Sequence, residues 1–197
     1  MKWFFELLTA ALYSLLIQNM IFSSGLGLSE AIRTAKRPKH FIMYSVSVFY
    51  FTTVTSVVCR LLDKIKFIRS LNAIWHVLIF ALVLALISLI TSVFCIIVMK
   101  ANRKFMNSLG MCAINTLVLA IPIINSRSAK TVFTSIGNGI GAGLAFMLAL
   151  VLINSGMRRI SQNKDIPKPF RGMPAVYIYT AILSLSFACL SGDSTFI

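Results

Sequence analysis

The feature that most constrains this chain is a recurrence of long segments without a charged residue. Within 197 residues, the segments 7–29, 41–59, 71–99, 105–126, 131–157 and 172–192 contain no Asp, Glu, Lys or Arg. Each exceeds the roughly 18 apolar residues that mark a membrane-crossing candidate, because about 20 residues at 1.5 Å rise traverse the hydrocarbon. Backbone amides in lipid must find partners within their own segment, so these runs are expected to be helices. The expected fold class is therefore all-α: a polytopic membrane protein with six transmembrane helices. It forms a single integral membrane domain over residues 1–197, with little outside the bilayer.

Charge decides what surrounds it. Nineteen Lys and Arg against five Asp and Glu give a net charge of +14, although only 12% of residues are charged. In a soluble protein that excess points to nucleic acid. Here the cations are scattered among short loops beside apolar runs, the usual placing of charge around membrane helices. Membrane lipids are the expected neighbours, and nucleic acid is not. Placing the N-terminus outside puts twelve of the nineteen cations on the cytoplasmic side, so both termini are expected outside, with Arg60, Lys64, Lys66 and Arg69 opposing the trend. Met1-Lys2 ahead of an apolar stretch has the look of a signal peptide. Glu6 interrupts that stretch and no A-x-A-like site follows, so a retained first helix is expected.

Helices are expected over 3–22, 41–62, 72–99, 105–124, 131–154 and 174–190. Ser23, Ser24, Gly25 and Gly27 break the first, and a short segment over 28–37 follows, closed by Pro38. Residues 63–70 read as a charged linker, 125–128 as a turn and 161–174 as the longest polar connection. In the fifth helix Gly137, Gly139, Gly141 and Gly143 recur at every second position. Gly139 and Gly143 make a G-x-x-x-G pair, expected to allow close helix packing. "LIQNMIF" in the first helix and "AINTLVL" in the fourth each set an Asn in apolar sequence. A buried Asn is costly without a partner, so Asn19 and Asn115 are expected to face the interior. The echo divides the chain into halves of about 1–100 and 101–197. Three helices per half would orient the halves oppositely, as in inverted repeats whose interrupted helices meet near the bilayer centre.

Reactive groups are sparse. Cys59, Cys95, Cys112 and Cys189 include no C-x-x-C pair and read as small hydrophobes. Glu6, Glu30, Asp63, Asp165 and Asp193 all fall near helix ends or in loops, unlike the intramembrane carboxylates of an independent ion pump. His76 is expected to be structural. No catalytic triad, P-loop or dinucleotide fingerprint is present, so no catalytic residue is assigned and the chain is at most a non-catalytic subunit of an enzyme.

Residues 165–192, "DIPKPFRGMPAVYIYTAILSLSFACLSG", closely resemble the last helix and preceding loop of the RnfA/RnfE and NqrD/NqrE family. These are integral membrane subunits of Rnf electron transport complexes and of sodium-translocating NADH:quinone oxidoreductases. The likeness extends in order to "QNMIFSSGLGLSEAI", "LNAIWHVLIFALVLALISLITSVF" and "INTLVLAIPIIN", covering most of the chain. Its most specific part is the loop motif Pro167, Pro169, Phe170, Arg171 and Gly172. The resemblance implies six helices in two inverted halves and a multi-pass location in the bacterial inner membrane. It implies as partners a homologous subunit of opposite orientation and other Rnf/Nqr-type subunits. It further implies a 2Fe–2S cluster shared by the pair, each member giving one cysteine from helix one and one from helix four.

Those two positions fall at Ser29, after "GLGL", and at Thr116, after Ile114-Asn115. The chain is thus identified as a divergent member lacking the usual cluster cysteines. Iron in such clusters is held by thiolate, and an alcohol that stays protonated at neutral pH is a far poorer donor. Cys112, one turn before Thr116 on the same face, is the candidate substitute, displaced by about 5–6 Å. The implied function is a membrane subunit of an Rnf/Nqr-like ion-translocating electron-transfer complex that no longer carries its own cluster. The alternatives are a small inverted-repeat transporter and a non-redox scaffold subunit.

Overall fold

A computed structural model describes residues 2–36, 41–98, 100, 103–128 and 131–191. Pro38 and Asp193 lie outside the described residues. Among those described, every regular element is helical. In chain order they are α1 (Lys2–Leu12), a π-helical segment (Tyr13–Ile17), α2 (Met20–Ser24), α3 (Leu28–Ala35), α4 (Phe41–Leu62) and α5 (Lys66–Arg69). There follow α6 (Ala73–Ile97), α7 (Arg103–Ala113), α8 (Thr116–Ser128), α9 (Val132–Gln162), a 3₁₀ turn (Lys168–Phe170) and α10 (Met173–Ser191). Five stretches are long and apolar enough to cross a membrane: Phe41–Leu62, Ala73–Ile97, Phe105–Ser128, Val132–Gln162 and Met173–Leu190.

The N-terminal segment is not the continuous helix expected over 3–22. Its hydrogen bonding loosens at Tyr13–Ile17, where Gln18 N–H reaches back to the Tyr13 carbonyl (2.8 Å). The helix then stops, because Asn19 adopts an extended backbone and caps a new start at Met20. The fourth expected helix is divided in the same way at Ile114-Asn115, giving α7 and α8. It also runs on through 125–128, where a turn was expected. Asn125 is buried, accepts from Asn138 Nδ2 (2.8 Å) and donates to the Ser135 carbonyl (3.3 Å), so its side chain is satisfied across α9 and has no need to break the helix. Helix α9 outlasts its expected end at 154 by two turns, since nothing between Ser155 and Gln162 interrupts it. The linker over 63–70 contains the single turn α5.

Helix α9 is the centre of the bundle. Apolar burial gives little drive for association between helices in lipid, so close van der Waals contact has to hold them. Two residues along a helix rotate the side-chain direction by about 200°, and the alternating glycines therefore serve two different neighbours. A Cβ on Gly139 would come within 2.9 Å of Ser56 Oγ and the Thr52 carbonyl, and one on Gly143 within 2.6 Å of Phe49 Cδ2, so both lie against α4. Gly137 faces Leu7, Ala10 and Ala11 of α1, and Gly141 faces Ala11 and Ser14. Helix α9 is thus clasped from both sides at backbone distance.

The other contacts fix the direction of each element. Tyr44 meets Phe146 (centroids 5.9 Å) and Ser56 meets Gly139, so α4 runs antiparallel to α9. Trp3 stacks on Phe133 (5.7 Å) and Ser14 Oγ donates to the Asn138 carbonyl (3.3 Å), so α1 runs parallel to it. Near the far end of α9, Asn154 Nδ2 donates to the Ala35 carbonyl (2.7 Å). Helix α10 packs through Tyr179, whose hydroxyl donates to the Leu152 carbonyl (3.2 Å), and through Phe187 stacked on Phe22 (4.7 Å).

Candidate functional site

The two helix breaks come together. Each begins with the same device, a buried Asn placed just before a new helix. Asn is a preferred N-cap because its side-chain oxygen accepts from orphan amides of the first turn. Asn19 Oδ1 accepts from Ile21 N (3.2 Å) and Phe22 N (3.4 Å), and Asn115 Oδ1 accepts from Leu117 N (3.0 Å). Asn19 Nδ2 donates to the Leu15 carbonyl (3.0 Å), whereas Asn115 Nδ2 is buried without a hydrogen-bond partner. The capping role of both residues was readable from the rule that Asn, Ser, Thr or Asp ahead of an apolar run marks a helix start.

The first break is followed by a second, tighter reversal. Gly25 (φ +69°) ends α2 and Gly27 (φ +75°) opens α3, both in the left-handed region that favours glycine. Gly27 also has a neighbour. A Cβ there would sit 2.8 Å from Asn115 Oδ1 and 3.2 Å from Leu117 Cβ. Its N–H donates to Thr116 Oγ1 at 2.9 Å, across 89 residues of sequence. The left-handed turn of the first break is therefore docked onto the capped start of the second.

Ser29 and Thr116 are both exposed, although each belongs to a first helical turn at the interior of the chain's apolar segments. Ile114 beside them is 85% exposed. Cys112 is turned away from that surface: it is fully buried and its thiol lies 3.8 Å from the Tyr44 carbonyl. Beneath it, Tyr44 OH donates to Glu30 Oε2 (3.4 Å) and to the Met111 carbonyl (3.5 Å). Glu30 is paired with Arg33 (2.9 Å). Two helix starts, α3 and α8, converge on one exposed patch, and their unpaired amides give it positive potential. Its side-chain donors are two alcohols. Among the described residues no three His, Cys, Asp or Glu gather to hold a metal.

The loop motif lies elsewhere, at the start of α10. Pro167 caps the 3₁₀ turn and Gly172 (φ +83°) leads into the helix. Arg171 folds back, donating to the carbonyls of Ile166 (2.8 Å) and Lys164 (2.6 Å), so its charge ties the loop to itself. Pro169 and the half-exposed Phe170 lie within that turn. His76 Nε2 hydrogen-bonds the Ile68 carbonyl, which fastens α6 to the preceding linker.

Comparison with known proteins agrees with this architecture. A family model described as "Rnf-Nqr subunit, membrane protein" matches residues 7–193. The chain is 28% identical to the RnfA component of the ion-translocating oxidoreductase complex of Azotobacter vinelandii, with 95% of this chain and 97% of that protein aligned. It is 26% identical to the corresponding component of the proton-translocating ferredoxin:NAD(+) oxidoreductase complex of Clostridium ljungdahlii, over 94% and 96%. It is 24% identical to that of the Na(+)-translocating ferredoxin:NAD(+) oxidoreductase complex of Acetobacterium woodii, over 91% and 93%.

Proposed function

The chain belongs to the Rnf-Nqr family of membrane subunits, and from that membership we propose that it serves as the RnfA-like membrane component of an Rnf-type ion-translocating electron-transfer complex without a cluster of its own. The observation that carries the last clause is the bond from Gly27 N–H to Thr116 Oγ1. The patch of convergent helix starts suits an anionic group, but its donors do not suit iron. Ser29 and Thr116 offer alcohols, one of them already engaged by a backbone amide, and the Cys112 thiol points inward at Tyr44. No electron-transfer step is therefore assigned to this chain. Its own residues close the two breaks on each other with a hydrogen bond.

The same reading assigns six crossings in two inverted halves, about 1–100 and 101–197. The interrupted segment over 2–35 supplies the sixth. Support comes from Trp3 against Phe133 and Ala35 against Asn154, which put its two ends beside positions of α9 separated by 21 residues, about 30 Å of helix. The exposed alcohols and Ile114 then face a homologous subunit of opposite orientation, in a bacterial cytoplasmic membrane with both termini outside.

Two experiments test this. In a chain with Cys189 changed to Ser, cysteines introduced at Lys2 and Lys36 should label from opposite sides of intact cells; labelling from one side would reduce the segment to a re-entrant hairpin. Affinity purification from native membranes should bring down further Rnf-type subunits. A chain that purifies alone under conditions that keep such a complex intact would favour the transporter reading.

A further inference from the structure

Where the N-terminal end of α1, the C-terminal end of α4 and the start of α9 meet, the bundle holds an open cleft of about 400 Å³, lined by Trp3, Glu6, Arg60, Lys64, Thr131 and Phe133 together with Val132. That size lies within the range of small-molecule sites, about 300–1,000 Å³. Its charges have both signs. Arg60 and Lys64 stand one helical turn apart at the end of α4. Glu6 is held in place by Thr131, whose hydroxyl donates to Glu6 Oε2 at 3.1 Å. Among the described residues neither Glu6 nor Lys64 forms an ion pair, although they line the same concavity.

We infer that this cleft binds the headgroup of phosphatidylethanolamine, with the phosphate against Arg60 and Lys64 and the ammonium against Glu6. The inference is independent of the electron-transfer reading. A single zwitterion satisfies both signs at once, which a purely anionic headgroup would not do beside Glu6. A primary ammonium can hydrogen-bond the carboxylate, and the quaternary ammonium of choline cannot. The occupant is a lipid because the wall of the cleft continues outward as apolar surface: Trp3, Phe4 and Phe5 are 67%, 66% and 59% exposed, and aromatic side chains collect at the level of lipid headgroups. Thr131, committed to Glu6 and to the cap of α9, sets the carboxylate's position.

Trp3 is a built-in reporter. The chain has two tryptophans, so Trp75→Phe leaves it alone. The full-length chain is placed in phosphatidylcholine vesicles containing a chain-brominated test lipid, and quenching of Trp3 gives relative affinity. Phosphatidylethanolamine should be favoured over phosphatidylcholine and phosphatidylglycerol by about fivefold, the scale of two partly exposed ion pairs. Glu6→Gln should abolish the preference over phosphatidylcholine. Lys64→Gln should weaken phosphatidylethanolamine and phosphatidylglycerol together, while quenching by phosphatidylcholine itself stays unchanged in both variants and reports an intact fold. Equal quenching by all three lipids, a preference for phosphatidylglycerol, or selectivity that survives both substitutions would overturn the inference. So would displacement of the brominated lipid by millimolar free phosphoethanolamine, which would make the ligand a soluble phosphate ester.

Discussion

The two helix breaks use one device and differ in how completely they use it. Asn19 spends its whole side chain: the oxygen caps α2 and the nitrogen returns to Leu15. Asn115 caps α8 but leaves its nitrogen buried and unpartnered. The first break continues into a double left-handed turn at Gly25 and Gly27, and the second consists of Ile114 and Asn115 alone. The wide break is thus shaped by its own residues, and the narrow one is completed by the wide one through Gly27 and Thr116. Symmetry of sequence has not produced symmetry of duty.

The two glycines of the wide break should separate most strongly. Both have positive φ, which costs a residue with a side chain about 1–2 kcal/mol. Only Gly27 has neighbours within reach of a Cβ, so Gly27→Ala adds overpacking of about 1–3 kcal/mol, while Gly25→Ala carries the strain alone. Thermal unfolding in detergent should rank them in that order. Equal shifts would mean that the breaks do not dock. Next, Asn19→Ala should destabilise by about 2 kcal/mol, since it removes a cap and strands the Leu15 carbonyl. Asn115→Ala should lose about 1 kcal/mol, the cap less the relief of an orphan donor. A reversed order would show that Asn115 Nδ2 has a partner in the membrane. The smallest change is Thr116→Val, which leaves Gly27 N–H without its acceptor and should cost about 1 kcal/mol, with Thr116→Ser restoring it. Hydrogen exchange at Gly27 reports this directly; protection unchanged in the Val variant would remove the clasp.

Much of this was legible before any coordinates. Uncharged runs mark α4, α6, α9 and α10 because a lipid environment tolerates little else. The same uniformity hides the breaks. Nothing in "YSLLI" announces π-helical hydrogen bonding, and an apolar run gives no sign of where one helix ends within it. The Asn caps could be read by local rule, as could the spacing of all four glycines in α9. Which neighbour each glycine pair faces depends on the rotation between α1 and α4, a tertiary fact. The bond from Gly27 to Thr116 joins residues 89 apart and has no local signature at all.

The central claim is that the two alcohols replace ligation with a hydrogen bond. It is tested most directly by iron and acid-labile sulfide content, with the electron paramagnetic resonance spectrum of the reduced sample, for the chain purified anaerobically together with its partner subunits. The unmodified chain should add no cluster to those carried by its partners, and Ser29→Cys combined with Thr116→Cys should add one. A cluster already present at this junction in the unmodified chain, and lost on Cys112→Ser, would contradict the account and make the buried thiol a ligand.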